Sequence, residues 1–311
     1  MIKKMIRIIS DIEQIISDFS TSSEKLIFLS TYFTSKLDPM RKIKQARDNF
    51  EYFRNWYESI DELGIRAVIF CDTISEEFKK KYETDKISFV RCQLGPHSLN
   101  DERFFIFHEF VQGLKPDSFV VSTDINDVII NKNPLDLFET NPHLLYVGRG
   151  QRKVWKNGKW PLKALFSFNR KFKGSLPVSF FNYPVLTPGT VGGKKELVQK
   201  VYQEMIELFS ELGDDGNYDM QVFNLIMKER YYPQSSIWDG IIPFWIANLY
   251  FYALYRISRK LEKGYKEEKY DLVSSEEGIA ANELIYAGFP FVSMVGKYEK
   301  KGESLAYLIH K

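Results

Sequence analysis

The sequence predicts an α/β domain: a mostly parallel central sheet with helices on both faces. Three observations carry this. Short apolar runs alternate with helix-patterned segments through the first two thirds of the chain, which is the pattern of strands joined by crossover helices. At 311 residues, 44% hydrophobic and 15% aromatic, the chain can bury one large core, either as a single domain or as a domain with an extension. Polar and acidic residues collect where the apolar runs end, the edge at which such sheets bind ligands.

Taken in order, residues 1 to 20 read as a helix, with Ile6, Ile9, Ile12, Ile15, Ile16 and Phe19 at helical spacing. "KLIFLSTYF" (25 to 33) reads as the first strand and 46 to 63 as an amphipathic helix ended by Gly64. A second strand follows at 66 to 72, a short helix at 75 to 83 and a third strand at 87 to 93. A helix at 101 to 114 leads to the fourth strand, 118 to 124. Residues 143 to 150 read as another strand. The stretch 185 to 212 reads as a short strand, a Gly-rich turn and a long helix, and 213 to 230 as an acidic turn opening another helix. Near the end only "NELIYA" and "PFVSMVG" suggest strands. The organisation expected is a main domain over 1 to 235 and a C-terminal, largely helical extension over 236 to 311.

Charge excludes some classes. Forty-three basic residues against 41 acidic ones make no general case for nucleic acid, so any electrostatic argument is local. Cys71 and Cys92 are the only cysteines, too few for a cysteine-rich zinc site. With Asp11, Glu13 and Asp18 interrupting any secretory pattern at the start, a reducing cytoplasmic setting is expected. The apolar run from Ile241 to Tyr255 is broken by Pro243 and Asn248 and falls short of the roughly twenty residues needed to span a bilayer. It reads as a core helix or as one lying on a surface, and the cations after it, Arg256, Arg259, Lys260, Lys263 and Lys266, would suit an anionic membrane.

The strongest chemical signal is Thr123-Asp124-Ile125-Asn126-Asp127. Two carboxylates at the end of a buried strand need a cation, a basic partner or a cleft, and they can present oxygens to a hard divalent ion such as Mg²⁺ or Mn²⁺. The bland alternative is a turn capped by Asp and Asn. In "GDDGNYDMQVFN", Asp219 at a helix start, with Gln221 and Asn224 nearby, could take a proton from an attacking hydroxyl or bind an acceptor, Asp214 and Asp215 competing; equally, it could cap the helix. The segment fails as a calcium loop, and the Gly189-Thr190-Val191-Gly192-Gly193 turn lacks the Lys-Ser or Lys-Thr of a P-loop.

Read together, "TDINDV" with the following "NKNPLDLF", the upstream "DERFFIFHEFV", "TPGTVGGKKELVQKV" and "YDMQVFN" resemble the nucleotide-sugar glycosyltransferases of the GT-A fold, in the variant whose metal motif is spaced Asp-x-x-Asp. The four matches fall in the expected order over roughly residues 25 to 230. The resemblance implies a Rossmann-like sheet and a hexosyl transfer from a nucleotide diphosphate sugar, with a UDP-sugar as the expected donor. Asp124 and Asp127 would hold Mn²⁺ or Mg²⁺, Asn126 would face the sugar or ribose, Thr31, Tyr32 and Asp72 would contact the nucleotide, and Arg103 the sugar or diphosphate. Gly192, Gly193, Gln221 and Trp155 would lie on the acceptor side, and Asp219 would be catalytic. The acceptor implied is a saccharide or lipid-linked glycan of surface polysaccharide or lipopolysaccharide assembly.

One departure stands out. Such enzymes often add a late His as third metal ligand, and the nearest counterpart, "MVGKYEK", has Gly296 there; none of His97, His108, His143 or His310 falls in the matching position. Two rivals therefore stay open: a sugar nucleotidyltransferase, which should carry a Gly-rich basic loop after the first strand, and a non-catalytic carbohydrate-binding or scaffold protein. The basic, aromatic stretch 151 to 174, with eight Lys or Arg, no Asp or Glu, and Trp155 and Trp160, reads as a nucleic-acid surface, a solvated loop or an acceptor-side loop. The last fits an anionic, lipid-linked glycan, and nothing else in the chain supports nucleic acid.

Overall fold

The structure is a computed structural model that describes residues 7–10, 12–156, 165–171, 176–231, 236–262, 279–281, 284–294 and 304–310. In chain order the elements are α1 (Glu13–Thr21), β1 (Leu26–Tyr32), α2 (Arg54–Glu62), β2 (Arg66–Cys71), α3 (Glu76–Tyr82), β3 (Ile87–Arg91), α4 (Leu99–Gln112), β4 (Phe119–Thr123), β5 (Val128–Ile130), α5 (Leu135–Thr140) and β6 (Leu145–Lys153). Then come α6 (Leu165–Lys171), β7 (Pro184–Lys194), α7 (Lys195–Leu212), α8 (Asp219–Ile226), α9 (Phe244–Glu262), β8 (Ile279–Ala281), β9 (Ile285–Ala287), β10 (Val292–Ser293) and β11 (Leu308–His310).

Eight strands form one sheet in the order β3-β2-β1-β4-β7-β6-β9-β8. β1 to β4 run parallel; β7 is antiparallel to both its neighbours; β9 returns parallel to β6. The mixed α/β class with helices on both faces is as the sequence predicts. Along β1 the side chains alternate: Ile27 and Leu29 join the core beneath α1, α4 and α7, while Leu26 and Phe28 join the one beneath α2 and α3.

Local chemistry fixes the element ends. Ser75 and Ser98 cap α3 and α4, accepting from Phe78 N at 3.1 Å and Asp101 N at 3.2 Å. α2 stops at Gly64, whose φ of +59° few side chains tolerate.

Two expectations change. The first helix begins only at Glu13, and Arg7–Ser10 instead runs beside the end of β3: Gln93 N donates to Arg7 O at 2.7 Å and Ile9 N to Arg91 O at 3.0 Å. Arg7 is held there by Glu102 at 2.6 Å, a pairing across the fold that helical periodicity cannot register. The supposed turn at 189 to 193 is part of β7, a central strand paired on both sides. Its glycines serve packing: a Cβ on Gly192 would lie 2.9 Å from Phe138 and 3.0 Å from Phe291.

The stretch 236 to 311 supplies, among the described residues, α9 and four strands, of which β9 and β10 fall where the sequence suggests strands and β8 and β11 do not. β8 and β9 extend the large sheet, and β10 and β11 form a second sheet with β5 in the order β10-β11-β5.

Candidate active site

The chain runs from β1 outward to β2 and β3, then returns to place β4 on the other side of β1. The carboxyl ends of β1 and β4 thus flank a topological switch point, where a crevice must open. A cleft of about 270 Å³ lies there, bordered by Thr31, Arg41, Arg103, Asn126, Asp219 and the Thr187-Pro188-Gly189 segment of β7.

The end of β4 is fixed from several sides. Ser30 Oγ donates to Thr123 O at 2.7 Å, Trp56 Nε1 donates to Thr123 Oγ1 at 2.7 Å, and Asp124 N donates to Gly189 O at 2.8 Å. With its backbone held, Asp124 presents its carboxylate to the cleft. Gly189 is the glycine that makes room for it, since a Cβ there would lie 2.9 Å from Asp124 Cγ and closer still to Oδ2.

His310 arrives from the far end of the sequence. β11 pairs antiparallel with β5, setting His310 opposite Val128, and Asn131 Nδ2 holds the approaching strand by donating to Ala306 O at 2.8 Å and Ser304 O at 3.0 Å. His310 Nε2 then lies 3.6 Å from Asp127 Oδ1 and 3.8 Å from Asp124 Oδ2, and the three groups offer ligand atoms within 4.8 Å of one another. The sequence spacing that set His310 aside is therefore corrected: strand pairing, not proximity in sequence, brings it in. The segment around Gly296 lies outside the described residues.

This donor set fits a hard divalent cation. The imidazole-to-carboxylate distances are too long for hydrogen bonds but within the span of ligands sharing one ion. Burial pushes Asp127 above the ordinary carboxylate range, and the charge of Asp124 pushes it further. For Asp124 burial acts upward too, but Arg103 and then His310 outweigh it and hold the group down. Crowded carboxylates with opposed shifts are the arrangement a cation relieves.

Arg103, nearly buried on α4, ties the site together. One nitrogen, Nη1, pairs with Asp124 Oδ1 and the other, Nη2, with Asp219 Oδ2 at 3.1 Å. Asp124 Oδ2 remains directed toward His310. Asp219 opens α8, its Oδ1 accepting from Asn217 Nδ2 at 3.2 Å; burial raises it despite Arg103. Behind it, Asp101 accepts from Tyr218 N at 3.1 Å and so pins the start of α8 to α4. Burial, then the charge of Asp219, pushes Asp101 up to about 7.

Arg41 reaches the cleft from the loop after β1. With the Asn126 amide turned so that its oxygen faces the guanidinium, that oxygen accepts from Arg41 Nη2 at 2.7 Å and Nη1 at 3.0 Å, and Tyr52 OH accepts from Nη1 at 3.2 Å. Arg41 belongs to no periodic segment, so no sequence signal marks it. For His310 there was one, an apolar run "AYLIH" ending in a ligand-type side chain.

The remaining sequence candidates divide. Thr31, Arg103, Asn126 and Asp219 border the cleft. Tyr32 does not: the next residue along a strand turns to the other face, and its ring is buried with its hydroxyl donating to Ala46 O and accepting from Asn49 N at 2.9 Å. Asp72 is spent on the loop after β1, accepting from Thr34 N at 2.9 Å and Ser35 N at 3.0 Å. Gly192 and Gly193 sit within β7 against Phe138, Phe291 and Leu144. Gln221 is buried on α8 and lies off the cleft border, while Asn224 grips β7 through Leu186 N at 2.8 Å. Trp155 packs on Phe251 of α9, ring centroids 6.3 Å apart, because the apolar face of α9 covers it. Trp160 lies outside the described residues.

No family model matches the sequence, and no curated protein matches it. Among solved structures the chain is similar to the galactosyltransferase LgtC, crystallised with donor and acceptor sugar analogues, at 13% identity and a TM-score of 0.38 over 64% of this chain and 70% of that one. It is similar also to the apo-form glycosyltransferase GlyE of Streptococcus pneumoniae (13% identity, TM-score 0.40, 68% and 44% covered). A third is apo mouse xyloside xylosyltransferase 1 (12%, 0.39, 66% and 82%). Similarity this low assigns no activity, which rests on the residues of the cleft.

Proposed function

We propose that this chain is a metal-assisted glycosyltransferase that moves a hexose from a nucleotide diphosphate sugar, a UDP-sugar foremost, to a saccharide acceptor of cell-surface polysaccharide type. The observation that carries the reading is the convergence of Asp124, Asp127 and His310 within 4.8 Å at the border of a cleft that also holds two arginines.

Asp124, Asp127 and His310 would hold Mn²⁺ or Mg²⁺, which supplies positive charge against the diphosphate leaving group. The chain's own residues do the rest. Arg41 lies at the same wall, where a diphosphate would meet a cation able to bind two oxygens at once. Thr31, at the end of β1, borders the nucleotide end. Arg103 orients Asp124 through one nitrogen and Asp219 through the other. Both Asp219 oxygens have a protein donor yet keep a lone pair, which favours holding a sugar hydroxyl in position and accepting its hydrogen bond as it attacks.

The nucleotidyltransferase rival needs free backbone N–H groups after the first strand. Here Thr34 N and Ser35 N are taken by Asp72, which speaks against it. The scaffold rival drew on the want of a third ligand, a want that His310 meets.

Calorimetric titration with UDP in Mn²⁺ and in chelator tests the reading, followed by release of UDP from UDP-hexoses. Metal-dependent UDP binding that is lost in Asp127→Asn is expected. Equal affinity with and without metal would overturn it.

A further inference from the structure

The outer face of α9 has no counterpart in a soluble surface helix. Of the fourteen large apolar side chains exposed among the described residues, eight lie between Ile237 and Ile257. The inner face is fully engaged: Phe244 and Phe251 stack on Phe181 at centroid distances of 5.0 and 4.7 Å, and Ala247 is buried beside them. A helix packed this way against the body should turn polar residues outward. Instead Trp245, Leu249 and Tyr250 are 55%, 57% and 59% exposed, with Trp238 and Ile241 in the preceding turn at 50% and 68%. A contiguous apolar patch of this kind marks an interaction surface.

Charge identifies the occupant. From Gly240 to Lys260 the chain has three cations, Arg256, Arg259 and Lys260, and no anion; Arg256 and Lys260 are exposed, about two turns and three turns beyond Leu249. Val154–Lys156 and α6, the described parts of a stretch whose sequence from 151 to 174 has eight cations and no anion, pack on α9 and bring the exposed Lys156 and Arg170 alongside. Two copies of this face brought together would set like charges against each other, whereas an anionic lipid surface complements them. Trp and Tyr at the edge of an apolar patch favour the headgroup boundary, where the ring is buried and its polar atom stays wet. No helix among the described residues is long and apolar enough to cross a membrane, so the helix would lie on the surface rather than span it.

We propose that the outer face of α9, with the preceding turn at Trp238 and Ile241, is a docking surface for an anionic membrane. The aromatic and aliphatic side chains enter the headgroup region while Arg256, Lys260, Lys156 and Arg170 meet the lipid phosphates. This inference stands on α9 and the segments beside it and does not depend on the transfer reading.

The test is co-sedimentation of the full chain with vesicles of phosphatidylcholine, alone or mixed with phosphatidylglycerol. Binding to the mixed vesicles only, weakening with salt, is expected. Arg256→Gln with Lys260→Gln should weaken it roughly fivefold per cation, and Trp245→Ser with Leu249→Ser should abolish it, while the unfolding midpoint stays unchanged. Failure to sediment with either vesicle, equal sedimentation with both, or binding that survives both double variants would overturn the proposal. So would sedimentation velocity showing a dimer in the wild type that Leu249→Ser dissociates, because the face would then belong to a second copy.

Discussion

His310 Nε2 lies 3.6 Å from Asp127 Oδ1, although more than half of the chain separates the two residues in sequence. The relationship is made by backbone pairing: β11 aligns Ile309 with Ile129 and His310 with Val128, and the buried Leu308 and Ile309 lock that register. A shift by one residue would turn the imidazole to the other face of the small sheet. The same three residues of β5 that follow the acidic cluster thus choose the orientation of its third partner.

Replacing His310 by Ala should weaken Mn²⁺-dependent UDP binding strongly and leave the fold in place. Loss of a partner that only orients a ligand typically lowers metal affinity 10–100-fold, and loss of the ligand itself should do at least as much. Titration of UDP at fixed Mn²⁺ reads the effect; a Kd within about twofold of wild type, on that same scale, would remove His310 from the site.

Gly189→Ala addresses the space beside Asp124. The new methyl would meet the Asp124 carboxylate and turn it away from His310 while breaking its pairing with Arg103. Misplacement by about 1 Å can lower turnover roughly 100-fold, so donor hydrolysis and metal-dependent UDP binding should both fall, with a stability loss of only about 1–3 kcal/mol from overpacking. Wild-type UDP binding would show that the carboxylate adjusts freely.

The sequence made the parallel half of the sheet legible because each buried strand there is an unbroken apolar run, and it made Asp124, Asp127 and Arg103 legible because they interrupt or flank such runs. Tyr32 misled because the end of a strand carries both a cleft-facing residue, Thr31, and its neighbour pointing into the core. β7 was hidden by its glycines, whose role is to admit Phe138 and Phe291 and not to turn the chain. Arg41 and His310 were missed for a different reason. Both enter the site through long-range packing, one on an irregular loop and one on a three-residue strand, where no local period records the contact.

Trp56→Phe tests how the cluster is supported. The indole N–H satisfies the buried Thr123 hydroxyl at 2.7 Å, and leaving that hydroxyl alone should destabilise the fold by about 1–3 kcal/mol, beyond the effect of the smaller ring. Combining it with Thr123→Val removes both partners, so the double variant should lose less than the sum of the single ones. Strict additivity in denaturant unfolding would mean that the bond contributes nothing.

Asp101 gives stability a pH dependence. Its folded value, pushed up to about 7 by burial and then by Asp219, lies above the roughly 3.9 of an unfolded Asp. Between those values the folded chain keeps a proton that the unfolded chain releases, so stability is fully present below about pH 4 and is lost as pH rises through about 7, by at most about 4 kcal/mol. Asp101→Asn removes that titration while its amide oxygen still accepts from Tyr218 N. Urea unfolding at pH 5 and pH 8 should show wild type losing stability between the two relative to the variant, with the remaining slope shared by the other carboxyls that burial raises, Asp127, Asp219 and Glu204 among them. Parallel pH profiles for the two proteins would place the Asp101 carboxyl in its ordinary range and leave the start of α8 held by an ionised group.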